Sequence, residues 1–532
     1  MQKSSNSKFV IGLTLVATLG GLLFGYDTAV ISGAVGSLQS FFIDSLQESS
    51  EKADLVIWQY RLTVIFVIII IDFAISAILI KLFGRQKGLV YAVLLFALTA
   101  FVLFYNFRNP AILDEETANS IKGFTISSAL IGCILGGSIG GFVSRKYGRK
   151  NGLVLAALLF AISAIGSSIP EKLNIFGVEN IIAFIIYRII GGVGVGLASM
   201  LSPMYIAEIA PSSIRGKLVS WNQFAIIFGM LIVYFVNYSI ALTGDDQWLV
   251  DTGWRWMFAS ETIPAVLFLG LLFFVPETPR FLVMNNKEAD ALELLNKLDP
   301  KSKAQLILEE IKETLKVKDA PWLSYGGLLI IIGIFLSVFQ QFVGINVVLY
   351  YAPEIFRNMG SGTDVSLLQT IIVGVVNLSF TILAIFTVDK FGRKPLQIIG
   401  ALGMAVSMIA LGFSFYLKSV GIGALIFMLM YTASFAMSWG PVTWVLLSEI
   451  FPNKIRGAMS VAVAAQWIAN LIISWTFPIM NDSSWLTEKF NHGFAYWIYG
   501  IMGILAALFV WKLVPETKGK SLEEIESIWE KK

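Results

Sequence analysis

Charge, cysteine and histidine are all scarce in this chain of 532 residues, and each scarcity removes a class of protein. Charged residues make up 14% of it against 56% hydrophobic, with a mean hydropathy of +0.75. That is too little polar surface to cover a soluble domain of this length, so lipid must face most of it. The single cysteine, Cys133, excludes an internal disulfide, and its apolar setting in Ala129-Leu-Ile-Gly-Cys reads as a packed thiol rather than a reactive one. The single histidine, His492, has no nucleophile–base or metal-ligand constellation around it in the sequence, so neither enzyme chemistry nor a metal or cofactor is expected. A net charge of +3, with the basic residues gathered in short loops, gives no ground for nucleic-acid binding.

What the chain does contain is a series of apolar stretches of about 20 residues, the length that crosses a bilayer. They fall near 9–35, 61–81, 88–107, 122–144, 152–169, 180–204, 218–242, 254–275, 325–350, 365–388, 396–417, 421–447, 458–479 and 493–514, which predicts fourteen spans. Lys3 to Lys8 followed by apolar Phe9 to Gly25 imitates a secretion signal. Asp27 follows without a small-residue cleavage pattern, so the segment reads as the first span. With the N-terminus inside, Arg145–Lys150, Glu208–Lys217, the charged segment 285–319, Asp389–Lys394, Glu449–Arg456 and the tail 515–532 share one side. Most of the Lys and Arg collect there, as the cytoplasmic side requires. The opposite loops carry Glu48, Glu51, Asp54, Asp114, Glu115, Glu116, Asp245, Asp246 and Asp251. The segment 285–319, with Ala291, Leu294, Leu295 and Leu298 and then Leu308, Ile311 and Leu315, reads as short amphipathic helices that clasp two halves together.

Two halves are expected because the motifs repeat. Arg145-Lys-Tyr-Gly-Arg-Lys150 returns as Asp389-Lys-Phe-Gly-Arg-Lys394 at an offset of 244 residues, and Glu208-Ile-Ala-Pro…Arg215-Gly returns as Glu449-Ile-Phe-Pro…Arg456-Gly at 241. Pro276-Glu-Thr returns as Pro515-Glu-Thr at 239. Three ordered matches at nearly one offset mean an internal duplication, and a duplicated hydrophobic bundle is what a transporter with a site between its halves needs.

Polar groups at membrane depth are expensive and face a cavity or one another. Amides and indoles dominate here: Gln223, Gln340, Gln341, Asn346, Asn377, Trp439, Gln466, Trp467 and Asn470, with Phe24 and Tyr350 nearby. An amide both donates and accepts, as the vicinal hydroxyls of a sugar do, and aromatic faces suit the C–H face of a pyranose ring. The same amides can also bind helices to one another. Gln341 and Asn346 are five positions apart, about 140° around a regular helix. Both reach one cavity only if the helix unwinds between them, with Gly344 the expected break; Pro441 after Trp439-Gly440 is another. Gln466 and Asn470, four apart, share a face without distortion.

Among the charges, Asp27 lies one turn beyond Phe24, and Arg188 in another span is its natural counter-ion. A carboxylate whose pairing changes with conformation takes up and releases a proton, the alternative being a static ion pair. Asp72, in an otherwise apolar span, reads as an interfacial or packing polar group. Glu208 with Arg215 and Glu449 with Arg456 are expected inner-gate charges, joined by Arg149 and Arg393 of the repeated turns; plain topogenic charge is the competing reading. Gly191-Gly-Val-Gly-Val-Gly196 imitates a nucleotide loop but lies inside a span with no preceding strand, so with Gly132, Gly136 and Gly140 it is expected to bring helices close.

With these residues in view, the chain resembles the sugar porter family of the major facilitator superfamily, on its xylose-transporting bacterial side. The resemblance rests on Gly20-Gly-Leu-Leu-Phe-Gly-Tyr-Asp27, Tyr187-Arg188, Ser202-Pro-Met-Tyr-Ile-Ala-Glu208, Gln340-Gln-Phe-Val-Gly-Ile-Asn346, Ser438-Trp-Gly-Pro441 and Pro515-Glu-Thr-Lys-Gly519. It implies an all-α polytopic protein with two six-helix bundles and alternating access. It also implies sugar contacts at Gln223, Gln340, Gln341, Asn346, Trp439, Gln466 and Trp467, and proton coupling at Asp27 with Arg188. Met230 stands where the resemblance leads one to expect another glutamine. The stretch 45–115 has no counterpart in the family pattern, and its basic turn Lys81-Leu-Phe-Gly-Arg-Gln-Lys87 predicts an added hairpin. The expected organisation is an N-terminal bundle over 1–44 and 116–275, the hairpin over 45–115, a cytoplasmic linker over 276–324, a C-terminal bundle over 325–514 and a tail over 515–532. The expected function is proton-coupled symport of a monosaccharide, D-xylose first and glucose, L-arabinose or inositol as alternatives, by a monomer in a bacterial inner membrane. A facilitative uniporter or a sugar-sensing receptor are the rivals, the receptor disfavoured by the short tail.

Overall fold

In lipid a backbone has no partner but itself, so long apolar segments become helices. The computed structural model describes residues 6–48, 50–108, 112–211, 214–298, 301–316, 320–520 and 522–530. Among the described residues fourteen helices are long and apolar enough to cross a membrane, and no strand occurs. The first eight spans are α1 (Asn6–Leu38), α2 (Ser50–Phe83), α3 (Arg85–Phe107), α4 (Glu115–Tyr147), α5 (Arg149–Ser168), α6 (Asn180–Ile209), α7 (Arg215–Ala241) and α8 (Asp246–Leu272). Three short helices follow, α9 (Pro279–Met284), α10 (Glu288–Leu298) and α11 (Lys301–Lys316), with a small core of their own from Val283, Ala291, Leu295, Ala304 and Leu308. The second half runs α12 (Gly327–Phe342), α13 (Ile345–Tyr350), α14 (Ala352–Asn358), α15 (Thr363–Phe391), α16 (Arg393–Tyr416), α17 (Ile422–Met437), α18 (Trp439–Ile450), α19 (Met459–Asn481), α20 (Ser484–Phe490), α21 (Phe494–Leu513) and α22 (Leu522–Glu530).

Within the first half α4 and α5 both pack on α6, and α1 packs on α7; within the second, α16 packs on α21 and α12 on α19. The halves meet where α4 lies along α19 and α7 along α15. Glycines permit the closest approaches. A Cβ on Gly132 would stand 2.0 Å from the Ile189 carbonyl oxygen, and one on Gly192 1.8 Å from that of Ala129. The glycine-rich run of α6 is therefore a packing surface.

The hairpin α2–α3 leans on the first half through α4 and α6 and packs chiefly on itself. Its origin is visible at an offset of 64 residues. Gly84, Arg85, Gly88, Leu89, Val90, Ala92, Leu94, Leu95, Phe96, Ala97 and Ala100 are each repeated at Gly148, Arg149, Gly152, Leu153, Val154, Ala156, Leu158, Leu159, Phe160, Ala161 and Ala164. The turn is repeated as well: Gly84 (φ 79°, ψ 166°) adopts the left-handed-side conformation of Gly148 (φ 95°, ψ 172°) and of Gly392 (φ 93°, ψ 160°) in the second half. The hairpin is a tandem copy of the helix pair that follows it. The copy has lost what lets the original pack, because Ile68, Asp72, Phe73 and Ser76 stand at the positions of Gly132, Gly136, Gly137 and Gly140. It stays at the periphery, and α3 exposes Leu89, Val93, Leu94, Leu98, Phe101 and Phe104. Asp72 is buried within the hairpin, with Oδ2 unpartnered.

Candidate functional site

The amides predicted to act together are brought together by a broken helix. Here α12 ends at Phe342, Gly344 takes φ +92° and ψ 18°, and α13 begins at Ile345. Glycine is required twice over, because a Cβ at Gly344 would also meet the Tyr499 ring at 2.8 Å. The break turns Asn346 back onto the preceding helix, where its Nδ2 donates to Gln341 Oε1 at 2.5 Å. Gln341 Nε2 donates to Gln340 Oε1 at 3.4 Å, and Gln340 Nε2 donates to the Trp439 carbonyl at 2.9 Å. Trp439 opens α18 directly after a second break at Ser438 (φ −130°, ψ −88°), and its indole Nε1 donates to the Gln397 carbonyl at 2.8 Å. Pro441, two residues on, has no N–H to lose in this first turn.

On α19, Gln466 is buried with Oε1 unpartnered, Trp467 faces Phe24 of α1 at a ring distance of 5.8 Å across the halves, and Asn470 Oδ1 accepts from Ser474 at 3.1 Å. Gln223 is half-buried on α7, Tyr350 is buried at the end of α13, and Met230 is buried with its backbone N 3.1 Å from where a Cβ on Gly25 would stand. Asn377 is buried on α15, outside the Gln340–Gln341–Asn346 chain of bonds. A shallow apolar groove on α7, lined by Ile232, Phe235 and Ile240, holds none of these residues.

Asp27 and Arg188 form a buried pair, 0% and 1% exposed, with Nη1 donating to Oδ1 at 2.7 Å and Nη2 to the Asp27 backbone oxygen at 2.9 Å. The guanidinium lies 5.3 Å from the Phe258 ring. Asp27 Oδ2 and Arg188 Nε remain unpartnered. Beside them lies Glu261 of α8, which sequence reasoning missed: it is 0% exposed, both oxygens are unpartnered, and it interacts electrostatically with Asp27 and Arg188. A carboxylate in an apolar window was the available signal.

At the end of the molecule bearing the Gly-Arg turns, two matching ion networks occur. Arg149 donates to Glu208 Oε1 at 2.8 Å and Arg393 to Glu449 Oε1 at 2.9 Å. The other oxygens, Glu208 Oε2 and Glu449 Oε2, accept from Thr278 at 2.6 Å and Thr517 at 2.5 Å. Glu277 receives the Arg149 and Lys150 N–H groups, and Glu516 those of Arg393 and Lys394, so each carboxylate occupies the start of a helix. Burial pushes the Glu277 carboxyl up despite these donors. Glu208 is thus paired with Arg149 of its own half, while Arg215 starts α7 exposed; the Arg456 side chain lies outside the described residues. The Pro-Glu-Thr repeat had signalled the duplication but not this role.

The model of the family described as Sugar (and other) transporter matches residues 13–113 and 100–529, two overlapping segments of which the first takes in the copied hairpin. The chain belongs to the sugar transporter family. As a member it is 53% identical to the D-xylose-proton symporter of Escherichia coli K12, over 100% of this chain and 98% of that one. It is 37% identical to the glucose facilitated diffusion protein of Zymomonas mobilis, over 99% of both, and 38% identical to the arabinose-proton symporter of Bacillus subtilis, over 99% and 96%. Among solved structures, the inward open conformation of the xylose transporter of E. coli is similar with a TM-score of 0.77 at 52% identity, covering 98% of this chain and 100% of that one. The same transporter bound to 6-bromo-6-deoxy-D-glucose gives a TM-score of 0.73 at 53% identity, with the same coverage. These relatives are transporters, and this member is not an enzyme. The fold is that of the major facilitator superfamily, two six-helix bundles with the added hairpin.

Proposed function

We propose that the chain carries a monosaccharide, D-xylose before glucose, inward across a bacterial inner membrane together with a proton. The basic-turn end faces the cytoplasm, as charge asymmetry directs, and both termini lie there. The observation that carries the reading is the pairing of a buried Asp27–Arg188 site, with Glu261 beside it, and a chain of amides on a broken helix. Gln340, Gln341 and Asn346 form one chain of hydrogen bonds, and each of these groups can exchange its partner for a sugar hydroxyl. Gln223, Gln466, Trp439 and Trp467, with Phe24, Tyr350 and Asn377, complete the ligand set.

The two bundles rock about this site. Hydrogen bonds between the halves lie at the end away from the basic turns, as in Tyr234 Oη to the Leu349 carbonyl at 3.0 Å and Thr363 to Asp246 at 2.9 Å. This supports an arrangement closed on the outer side. The networks of Arg149 with Glu208 and of Arg393 with Glu449 fasten each bundle to the linker or tail and must loosen as the inner side closes. Movement of Arg188 between Asp27 and Glu261 frees one carboxylate to take a proton. The test is uptake of labelled D-xylose in proteoliposomes under an inward proton gradient, with unlabelled sugars in competition. Accumulation above the outside concentration that a protonophore collapses is expected. Equilibration without accumulation would leave a facilitator.

A further inference from the structure

We propose that Lys122 is a positioning residue of the outer gate, the keystone of an ion triad that holds the halves closed on the outer side. The inference rests on the orientation and rocking cycle proposed above. Lys122 lies in the second turn of α4, in the first half, and is 3% exposed. Both hydrogen bonds observed from its Nζ cross to the other half, to Glu354 of α14 and, at 2.7 Å, to Asp482 at the end of α19. Glu354 Oε2 is buried without another partner. The ammonium therefore draws its compensation from across the interface.

The same stretch of α4 is a strike plate throughout. Trp475 of α19 donates its indole N–H to the Ser120 carbonyl at 3.0 Å and to Ser120 Oγ at 3.2 Å. Its ring lies 5.0 Å from that of Phe124, and a Cβ on Gly123 would stand 2.0 Å from its carbonyl oxygen. Glu115 accepts from the Ser484 hydroxyl at 2.7 Å. The copied hairpin braces the plate from outside, with Tyr60 Oη 2.9 Å from Ser120 Oγ and its ring edge-on to Phe124. Rocking the halves apart on this side carries Lys122 away from both carboxylates and returns all three to water. While closed, the triad is intact; removing the lysine alone leaves two part-buried carboxylates, both bonded to the same ammonium, without their shared cation. Neutralising all three residues removes that imbalance, and such replacements of buried ion triads are close to neutral.

The experiment uses the full chain carrying Leu349→Cys, since Leu349 is buried between the halves on this side. Right-side-out vesicles are treated with a membrane-impermeant maleimide. The chain without that substitution serves as the blank, because Cys133 is wholly buried. Lys122→Met is expected to speed labelling by at least about tenfold, and the triple variant K122M/E354Q/D482N to return it to within about threefold of the parent. Labelling of K122M at the parental rate overturns the proposal. So does a triple variant as fast as K122M, which would assign the opening to lost packing of the lysine stem. If K122M does not reach the membrane folded, D482N replaces it: this variant keeps the Lys122–Glu354 pair and must still raise labelling about threefold, and an unchanged rate overturns the proposal. Labelling needs no sugar, so failure of xylose uptake by the parent would count against the transport reading and leave this result standing.

Discussion

Asp27→Asn removes one charge and almost no volume, and the geometry of its partner sets what should follow. An asparagine oxygen still meets Arg188 Nη1, and Nη2 keeps its 2.9 Å bond to the backbone oxygen of residue 27. What is lost is the ionic part of one 2.7 Å bond at a site where both side chains are shut off from water, about 1.5–3 kcal/mol. Glu261, buried beside the pair, remains as an acid that can take over as counter-ion to Arg188 once Asp27 is gone. The variant should fold, with a lowered unfolding midpoint in detergent, and lack a group at position 27 that exchanges a proton. In proteoliposomes with an imposed proton gradient, accumulation should fall to equilibration. Exchange of labelled for unlabelled sugar should persist within about threefold of the parent, since exchange needs only the rocking of a loaded carrier. The double variant Asp27→Asn/Glu261→Gln leaves Arg188 as a buried cation with no counter-charge and should lose about 3–5 kcal/mol. A D27N protein that accumulates sugar to the parental level, or a double variant as stable as its parent, would refute the assignment of charge at this site.

Gly344→Ala places a side chain where φ is +92° and the Tyr499 ring is 2.8 Å away, at about 1–3 kcal/mol for the backbone alone. Sugar affinity measured by binding calorimetry should fall at least about tenfold as Asn346 turns from Gln341, and an unchanged Kd would show the break to be irrelevant to the site. Deleting residues 50–113 removes one copy length and joins residue 49 to Asp114. It forfeits the Tyr60–Ser120 bond and that of Gln59 to the Glu179 N–H, about 1 kcal/mol each. Uptake should survive within about threefold, whereas a folded deletion variant without uptake would make the hairpin part of the machinery. At the end away from the basic turns, burial pushes the Glu171 carboxyl up, but two hydrogen bonds from Arg255, at 2.6 and 2.8 Å, outweigh it and hold it below the usual carboxylate range. A lowered value means that stability from this pair is present above the ordinary carboxylate pKa and lost as pH falls through the folded one. Glu171→Gln should therefore lower the unfolding midpoint at neutral pH, by no more than about 1 kcal/mol for a part-exposed pair, and the difference from the parent should vanish in acid.

Periodicity and composition made the spans legible, because lipid punishes an exposed backbone group at every position and hydrophobic length is the only way to satisfy it. The break at Gly344 was legible for a similar reason: Gln341 and Asn346 cannot share a face of a regular helix, and a glycine stood between them. Pairing was not. Glu208 lies seven residues before Arg215, but α6 ends at Ile209 and the chain turns before Arg215, so the carboxylate meets Arg149, 59 residues away, across the bundle. The partners of Lys122 lie 232 and 360 residues along the chain, and no local pattern links a lone lysine at the edge of an apolar run to carboxylates in the other half. The copied hairpin was hidden by its own divergence. In α4 Gly132 and Gly136 face the backbone of α6 and Gly140 faces the Met200 side chain, while α2 has filled the corresponding positions with Ile68, Asp72 and Ser76. Only the turn and the helix after it preserve the likeness, and the turn is preserved because Gly84 must still reverse the chain at positive φ to keep the two helices antiparallel.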